Sequence, residues 1–153
     1  MIVVAVLGIL AAIALPTFQG HVTEARQATA KDNLRTLRIA IERYAAQHNG
    51  VPPGYLAGVL LPDFMIPNQF LYYTSLQGEA AGTRSTDFPY GPYLSKMPRN
   101  SFNDKTTLRV IGDADPLPES ADGSYGWLYK PAEKEIRLDW PGTDTKDVRY
   151  YDY

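Results

Sequence analysis

Met1–Leu15 reads MIVVAVLGILAAIAL, fifteen apolar residues without a charge or a polar side chain, followed by Pro16, Thr17 and Phe18. As a helix the run is roughly 22 Å long, whereas a bilayer core of about 30 Å takes about 20 residues. Three readings compete: the core of a signal peptide, a buried core helix, or a membrane span whose first residues precede Met1. A signal peptide opens on positive charge and closes on a small-x-small cleavage site, but the first basic residue here is Arg26. A helix buried in a globular core shows a polar face at 3.6-residue spacing, and this run is apolar all round. The shortened span is the expectation.

A different helix follows. From Gln19 to His48 there is no proline, and Ala30, Leu34, Leu37, Ile41 and Tyr44 recur at a 4, 3, 4, 3 spacing, with Ala40 and Ala45 alongside. That spacing marks one apolar stripe on a helix. Asp32 with Arg35 and Arg38 with Glu42 are spaced to support each other on an exposed face. Asn49-Gly50 and Pro52-Pro53 end the helix. Residues 1–49 are therefore expected to form one long helix, with 1–18 as a membrane or filament-core segment and 19–49 amphipathic. If unbroken it is roughly 70 Å long, too long for a head of about 100 residues, with a radius of gyration near 13 Å, to cover.

The head, residues 50–153, is acidic. Residues 1–50 hold five basic and three acidic side chains, so a whole-chain charge of −2 leaves −4 for the remainder. Its first half is rich in turn formers and aromatics, with a short helix or turn near Tyr55–Leu61. Its second half carries three strand-like runs, Thr107–Ile111, Tyr125–Lys130 and Glu135–Asp139, the last two joined by the tight hairpin Pro131–Lys134. Val148–Tyr153 is read as an edge strand or a docked tail. The expected architecture is α+β: a long N-terminal helix packed on a small antiparallel sheet through Leu34, Leu37, Ile41 and Tyr44.

Composition narrows the function. With 44% apolar residues the chain is not predominantly disordered, and with 15 basic against 17 acidic residues it is not a general nucleic-acid binder. There is no cysteine, hence no disulfide and no thiolate metal site. The two histidines, His21 and His48, stand roughly 40 Å apart along a helix and are read as surface polar residues. No phosphate loop, nucleophile elbow or zinc-protease motif occurs, and no enzyme is expected. Two acidic groups could offer oxygen ligands to Ca²⁺: Asp113, Asp115, Glu119 and Asp122, and Asp139, Asp144 and Asp147. Neither follows the D-x-[DN]-x-[DN]-G pattern, so no metal or other cofactor is assigned. Most of the eleven tyrosines lie in the head and are read as parts of its core.

The stretch MIVVAVLGILAAIALPTFQGHVTEARQATAKDNLRTLRIAIERYAAQHNG resembles the N-terminal helix of type IV pilins and type II secretion pseudopilins, with Gly8 and Pro16 at that family's helix-interrupting positions. GPYLSKMPRNSFND (91–104) and GWLYKPAEKEIRLDW (126–140) resemble family heads more loosely. Family members begin with a methylated Phe, a few apolar residues and a Glu, cut from the precursor by a prepilin peptidase. None of these lies in this sequence, and no such role is given to a numbered residue. By that pattern about six residues precede Met1, which would complete a span of about 20 residues.

The resemblance implies a structural subunit of a helical cell-surface filament like a type IV pilus. The precursor sits in the inner membrane, an assembly ATPase machine extracts it, and the head is displayed outside the cell. Filament-core packing is expected of Val4, Leu7, Gly8, Leu10, Ala11, Ala12, Ala14, Leu15, Pro16 and Phe18. Small residues among them allow close approach of identical helices, and the backbone between Gly8 and Pro16 is expected to extend on assembly. The alternative within the class is the major pseudopilin of a type II secretion system, in a periplasmic pseudopilus. The alternative from another class is a monomeric membrane-anchored binding domain. The partners implied are identical subunits, the membrane and the processing machinery, with no nucleic acid.

Overall fold

The computed structural model describes residues 2–153, apart from the side chains of residues 2 and 4–20. Helix α1 spans Ile2–Gln47, its side chains described continuously over the 27 residues His21–Gln47. That stretch is rich in Ala, Leu, Arg and Gln, all good helix formers, and has no proline. It stops where Asn49 (φ 54°) and Gly50 (φ 86°) turn left-handed. The Gly50 N–H then donates back to Ala45 O at 2.8 Å, satisfying a carbonyl that the helix end leaves open.

Seven short strands follow. β1 (Tyr55–Leu56) and β2 (Val59–Leu60) form a hairpin across Ala57-Gly58, both at positive φ, where a helix or turn was expected. Two left-handed residues in a two-residue loop match the right-handed twist of the flanking strands. Helix α2 (Ile66–Leu71) has Pro67 in its first turn, where a missing N–H costs nothing. β3 (Tyr73–Thr74) and β4 (Ala80–Ala81) form a second antiparallel pair, and β5 (Leu108–Val110), β6 (Trp127–Lys130) and β7 (Glu135–Leu138) a three-stranded sheet.

The strand pairing corrects the expected architecture. There is no single antiparallel head under a long helix: the strands are split among three small sheets, and β5 runs parallel to β6 while β6 and β7 are antiparallel. A parallel pair needs a crossover of a dozen or more residues. The sixteen residues 111–126 supply it, bringing Gly126 N and Trp127 N back to Thr107 O at 3.0 Å each. Between β6 and β7 the turn is a short 3-10 segment, Pro131–Glu133, closed by Lys134 at φ 55°. Val148–Tyr153 is not an edge strand. It forms a 3-10 turn, Tyr150–Asp152, docked on the sheet.

Leu34, Leu37, Ile41 and Tyr44, each no more than 1% exposed, share one buried cluster with Trp127, Tyr129, Ile136 and Leu138. β7 alternates, with Ile136 and Leu138 facing the helix and Glu135 and Arg137 facing outward. β6 is buried on both faces. Leu128 forms a second cluster with Ala121 and Tyr151 of the tail, so the tail seals the sheet's outer side. Arg38 and Glu42 do not pair with each other. Arg38 donates to Ile136 O (3.3 Å) and Tyr153 O (2.7 Å), and Glu42 meets Lys134 Nζ at 3.3 Å, because the sheet and tail offer fixed acceptors and a cation beside the helix.

Leu37→Ala should destabilise the fold by about 2–5 kcal/mol, the range for emptying a buried leucine site. Ile39→Ala, at a position 50% exposed, should change it by less than about 0.5 kcal/mol. Equal chemical-denaturation midpoints for the two variants would contradict the placement of the stripe.

Candidate functional site

The head carries a groove of about 650 Å³ where three chain segments meet. One wall is the approach to α2 and the helix itself, with Asp63, Phe64, Pro67 and Leu71; a second is the extended segment bearing Lys96, Met97 and Arg99. The start of β5 (Thr106–Leu108) and Tyr125, just before β6, complete it. The walls are held independently of any occupant. Tyr93 N and Leu94 N both donate to Phe70 O, at 2.9 and 3.0 Å, pinning the second segment to α2. Farther along, Trp127 Nε1 donates to Pro98 O (3.0 Å) and Asn33 Nδ2 of α1 to Arg99 O (2.8 Å). Phe64 nevertheless stands 78% exposed at the rim, apolar surface that the fold leaves in water.

Beside the groove, buried polar side chains fix the loops. Asn100, fully buried, donates from Nδ2 to Gly126 O and Asp139 O (3.1 and 3.2 Å), while its Oδ1 accepts from Phe102 N (3.0 Å). Asp139, 1% exposed, accepts the N–H groups of Asp122 and Gly123 on Oδ1 and of Tyr125 on Oδ2, at 2.8–3.1 Å. A buried carboxylate is tolerated when backbone donors surround it in this way. On the other side of α2, Gln69 accepts from Gly54 N (2.6 Å) and donates to Tyr55 O and Gly78 O (2.8 and 2.7 Å), joining both hairpins to the helix. Gly78 is required there: it sits at φ 94°, and a Cβ would come within 2.5 Å of Tyr55 O.

His48 is not a surface residue. Only 2% exposed, it stacks on Tyr44 with ring centroids 3.7 Å apart. Its Nδ1–H donates to Tyr44 O (2.8 Å), so Nε2 accepts from the Thr74 hydroxyl (3.0 Å). Burial lowers its pKa below the ordinary 6.5, with hydrogen bonds to backbone acting the other way. His21 is exposed, 3.9 Å from Glu24.

The acidic groups considered for calcium are spread over several tasks. Asp113 accepts from Tyr55 OH (2.6 Å), Asp122 from Ser124 N (2.8 Å), and Asp144 from Lys146 N, Val148 N and Tyr153 OH. Among the described residues no group of three or more His, Cys, Asp or Glu is placed to hold a metal ion. The filament-core candidates Val4, Leu7, Gly8, Leu10, Ala11, Ala12, Ala14, Leu15, Pro16 and Phe18, and with them the interruption at Gly8 and Pro16, lie outside the residues whose side chains are described. Among the described residues no helix is long and apolar enough to cross a membrane.

The groove and the Asn100, Asp139 and Gln69 hubs were not anticipated. The hubs had only a weak signal, a polar residue two positions from a proline (Pro67, Pro98 and Pro141), and the groove had none, since its walls lie up to 62 positions apart in sequence (63 to 125). Comparison with protein-family models, curated proteins and solved structures gives no match.

Asp139→Ala strips three partly buried N–H groups of their acceptor and should cost about 1–3 kcal/mol, read as a fall in Tm; an unchanged Tm would show that the loop does not depend on it. For His48 the folded pKa lies below the unfolded value, so its contribution is complete above about pH 6.5 and is lost as pH falls through the folded pKa. The Tm of His48→Gln should therefore vary less than that of the parent between about pH 7 and 5. Parallel Tm–pH curves would refute the assignment.

Proposed function

We propose that this chain is the structural subunit of a helical cell-surface filament similar to a type IV pilus, polymerising through its apolar N-terminal segment. The observation that carries the reading is a mismatch within one helix. The stripe from Ala30 to Tyr44 is already buried by the head, while the sequence of Met1–Leu15 is apolar on every face. Exposing that segment to water costs about 25 cal/mol per Å², so it must be covered by something other than its own head.

Lipid covers it in the precursor and sibling helices cover it in the filament. Because lipid is as apolar as these side chains, the exchange has little net hydrophobic drive and depends on close packing. Gly8, Ala11, Ala12 and Ala14 favour such packing. If the backbone extends between Gly8 and Pro16, neighbouring subunits must satisfy the freed polar groups. Subunits related by a rotation and a rise make contacts that do not close, so the assembly grows as a fibre. A prepilin peptidase and an assembly ATPase belong to this reading through the family resemblance alone.

The second reading, the major subunit of a periplasmic pseudopilus in type II secretion, is favoured by the tail. With no cysteine in the chain, it is held by Arg38 on Tyr153 O (2.7 Å), by Arg137 on Asp152 (3.4 Å) and by the Tyr153 hydroxyl on Asp144 (2.9 Å) rather than by a disulfide.

Val6→Asp and Leu10→Asp should abolish fibres in sheared or membrane fractions while the far-UV spectrum and the thermal transition of the head stay as in the parent. Fibres of normal length and number from both variants would remove the packing argument, and a parent chain that forms no fibres would point to the monomeric anchored domain.

A further inference from the structure

The groove beside α2 has a counterpart elsewhere on the same chain. Because β5 and β6 are parallel, Thr106–Leu108 and Tyr125, at the starts of both strands, lie at the groove, and the loop that leaves β5 lies at the other end of the pair. A three-residue strand separates the two ends by roughly 10 Å. That loop reads Asp113-Ala114-Asp115-Pro116-Leu117-Pro118-Glu119, and its first four residues are exposed.

It is also held in place. Asp113 takes the Tyr55 hydroxyl at 2.6 Å, Asp115 N donates to Gly112 O at 3.0 Å, and the far side is gripped by Tyr151 OH on Pro118 O and by Arg149 on Glu119 O (3.2 Å). Two prolines restrict its backbone further. A segment fixed in one conformation loses little entropy when it docks.

Charge matches the two surfaces. Among the described residues Lys96 and Arg99 at the groove have no carboxylate partner, and Asp115 and Glu119 have no cationic one. Asp63 is the single acidic residue on the lining, leaving it at +1, against −2 for Asp113–Pro116. Apolar contact comes from Phe64 and Met97, which suit a proline-rich segment in the way that aromatic grooves suit such peptides.

We propose that the groove binds the Asp113–Pro116 loop of a second copy of this chain, an inference that rests on the filament reading. The loop cannot enter its own groove, since it is anchored at both ends on the opposite side of the strand pair. The contact is heterologous, groove to loop, and repeats from copy to copy without closing. One such loop buries little surface. Its strength comes from the high effective concentration that the shared filament core imposes.

The chain contains no cysteine, so an engineered pair reports the contact directly. Filaments of the full-length Met97→Cys/Pro116→Cys chain, oxidised and run without reductant, should give a ladder of covalent multimers that collapses on reduction, while either single variant stops at dimer or below. In parallel, Lys96→Glu/Arg99→Glu should lower filament yield roughly tenfold or more through like-charge contact, and adding Asp113→Lys/Asp115→Lys should restore it. Filaments without a ladder, a cross-linked product of a different protein, or a loss that the second pair does not restore would overturn the contact and leave the filament reading standing. Absence of filaments from the unmodified chain would overturn the filament reading, and this contact with it.

Discussion

Burial of one helical stripe organises the head. Leu34, Leu37, Ile41 and Tyr44 present a narrow apolar band that β6 and β7 cover with Trp127, Tyr129, Ile136 and Leu138. A three-stranded sheet with strands of three or four residues has too little surface to hold together alone. Against the helix on one face and the Tyr151 tail on the other, its central strand becomes the most buried part of the fold.

With no cysteine to cross-link it, this head relies on buried polar side chains. Asp139, Asn100 and Gln69 each close three backbone groups at once. Together they hold the loops that surround the sheet. No buried side-chain polar atom among the described residues lacks a partner, so these networks are complete, the condition under which buried polar groups rigidify a fold rather than weaken it. The groove is a product of that rigidity: its walls are tied to α1, α2 and β6 by bonds that need no ligand.

The helix was legible because its evidence is periodic and local: the spacing of the apolar residues, and the Asn49-Gly50 stop seen as two positive φ values. The runs that become β5, β6 and β7 were legible for the same reason. Their pairing was not, since TLRVI can lie on either side of YGWLYK in either direction and only the path of residues 111–126 decides. Helix α2 was hidden by its proline, although a proline in the first turn is itself a start signal. His48 looked like an ordinary polar residue at a helix end. Its burial depends on Thr74, Tyr90 and Tyr93 arriving from distant segments. The groove, built from residues 63 to 125, leaves no local trace.

The long separation between the helical stripe and its cover bears on how the molecule is made. Residues 34–44 leave the ribosome early, yet the strands β6 and β7 that supply Trp127, Tyr129, Ile136 and Leu138 to their cover follow some ninety positions later. At synthesis rates of about 5–20 residues per second, the greasy band waits several seconds with its cover incomplete. A nascent chain already tethered to a bilayer, or attended by a chaperone, passes that interval without aggregating. One released early carries an open adhesive strip into solution.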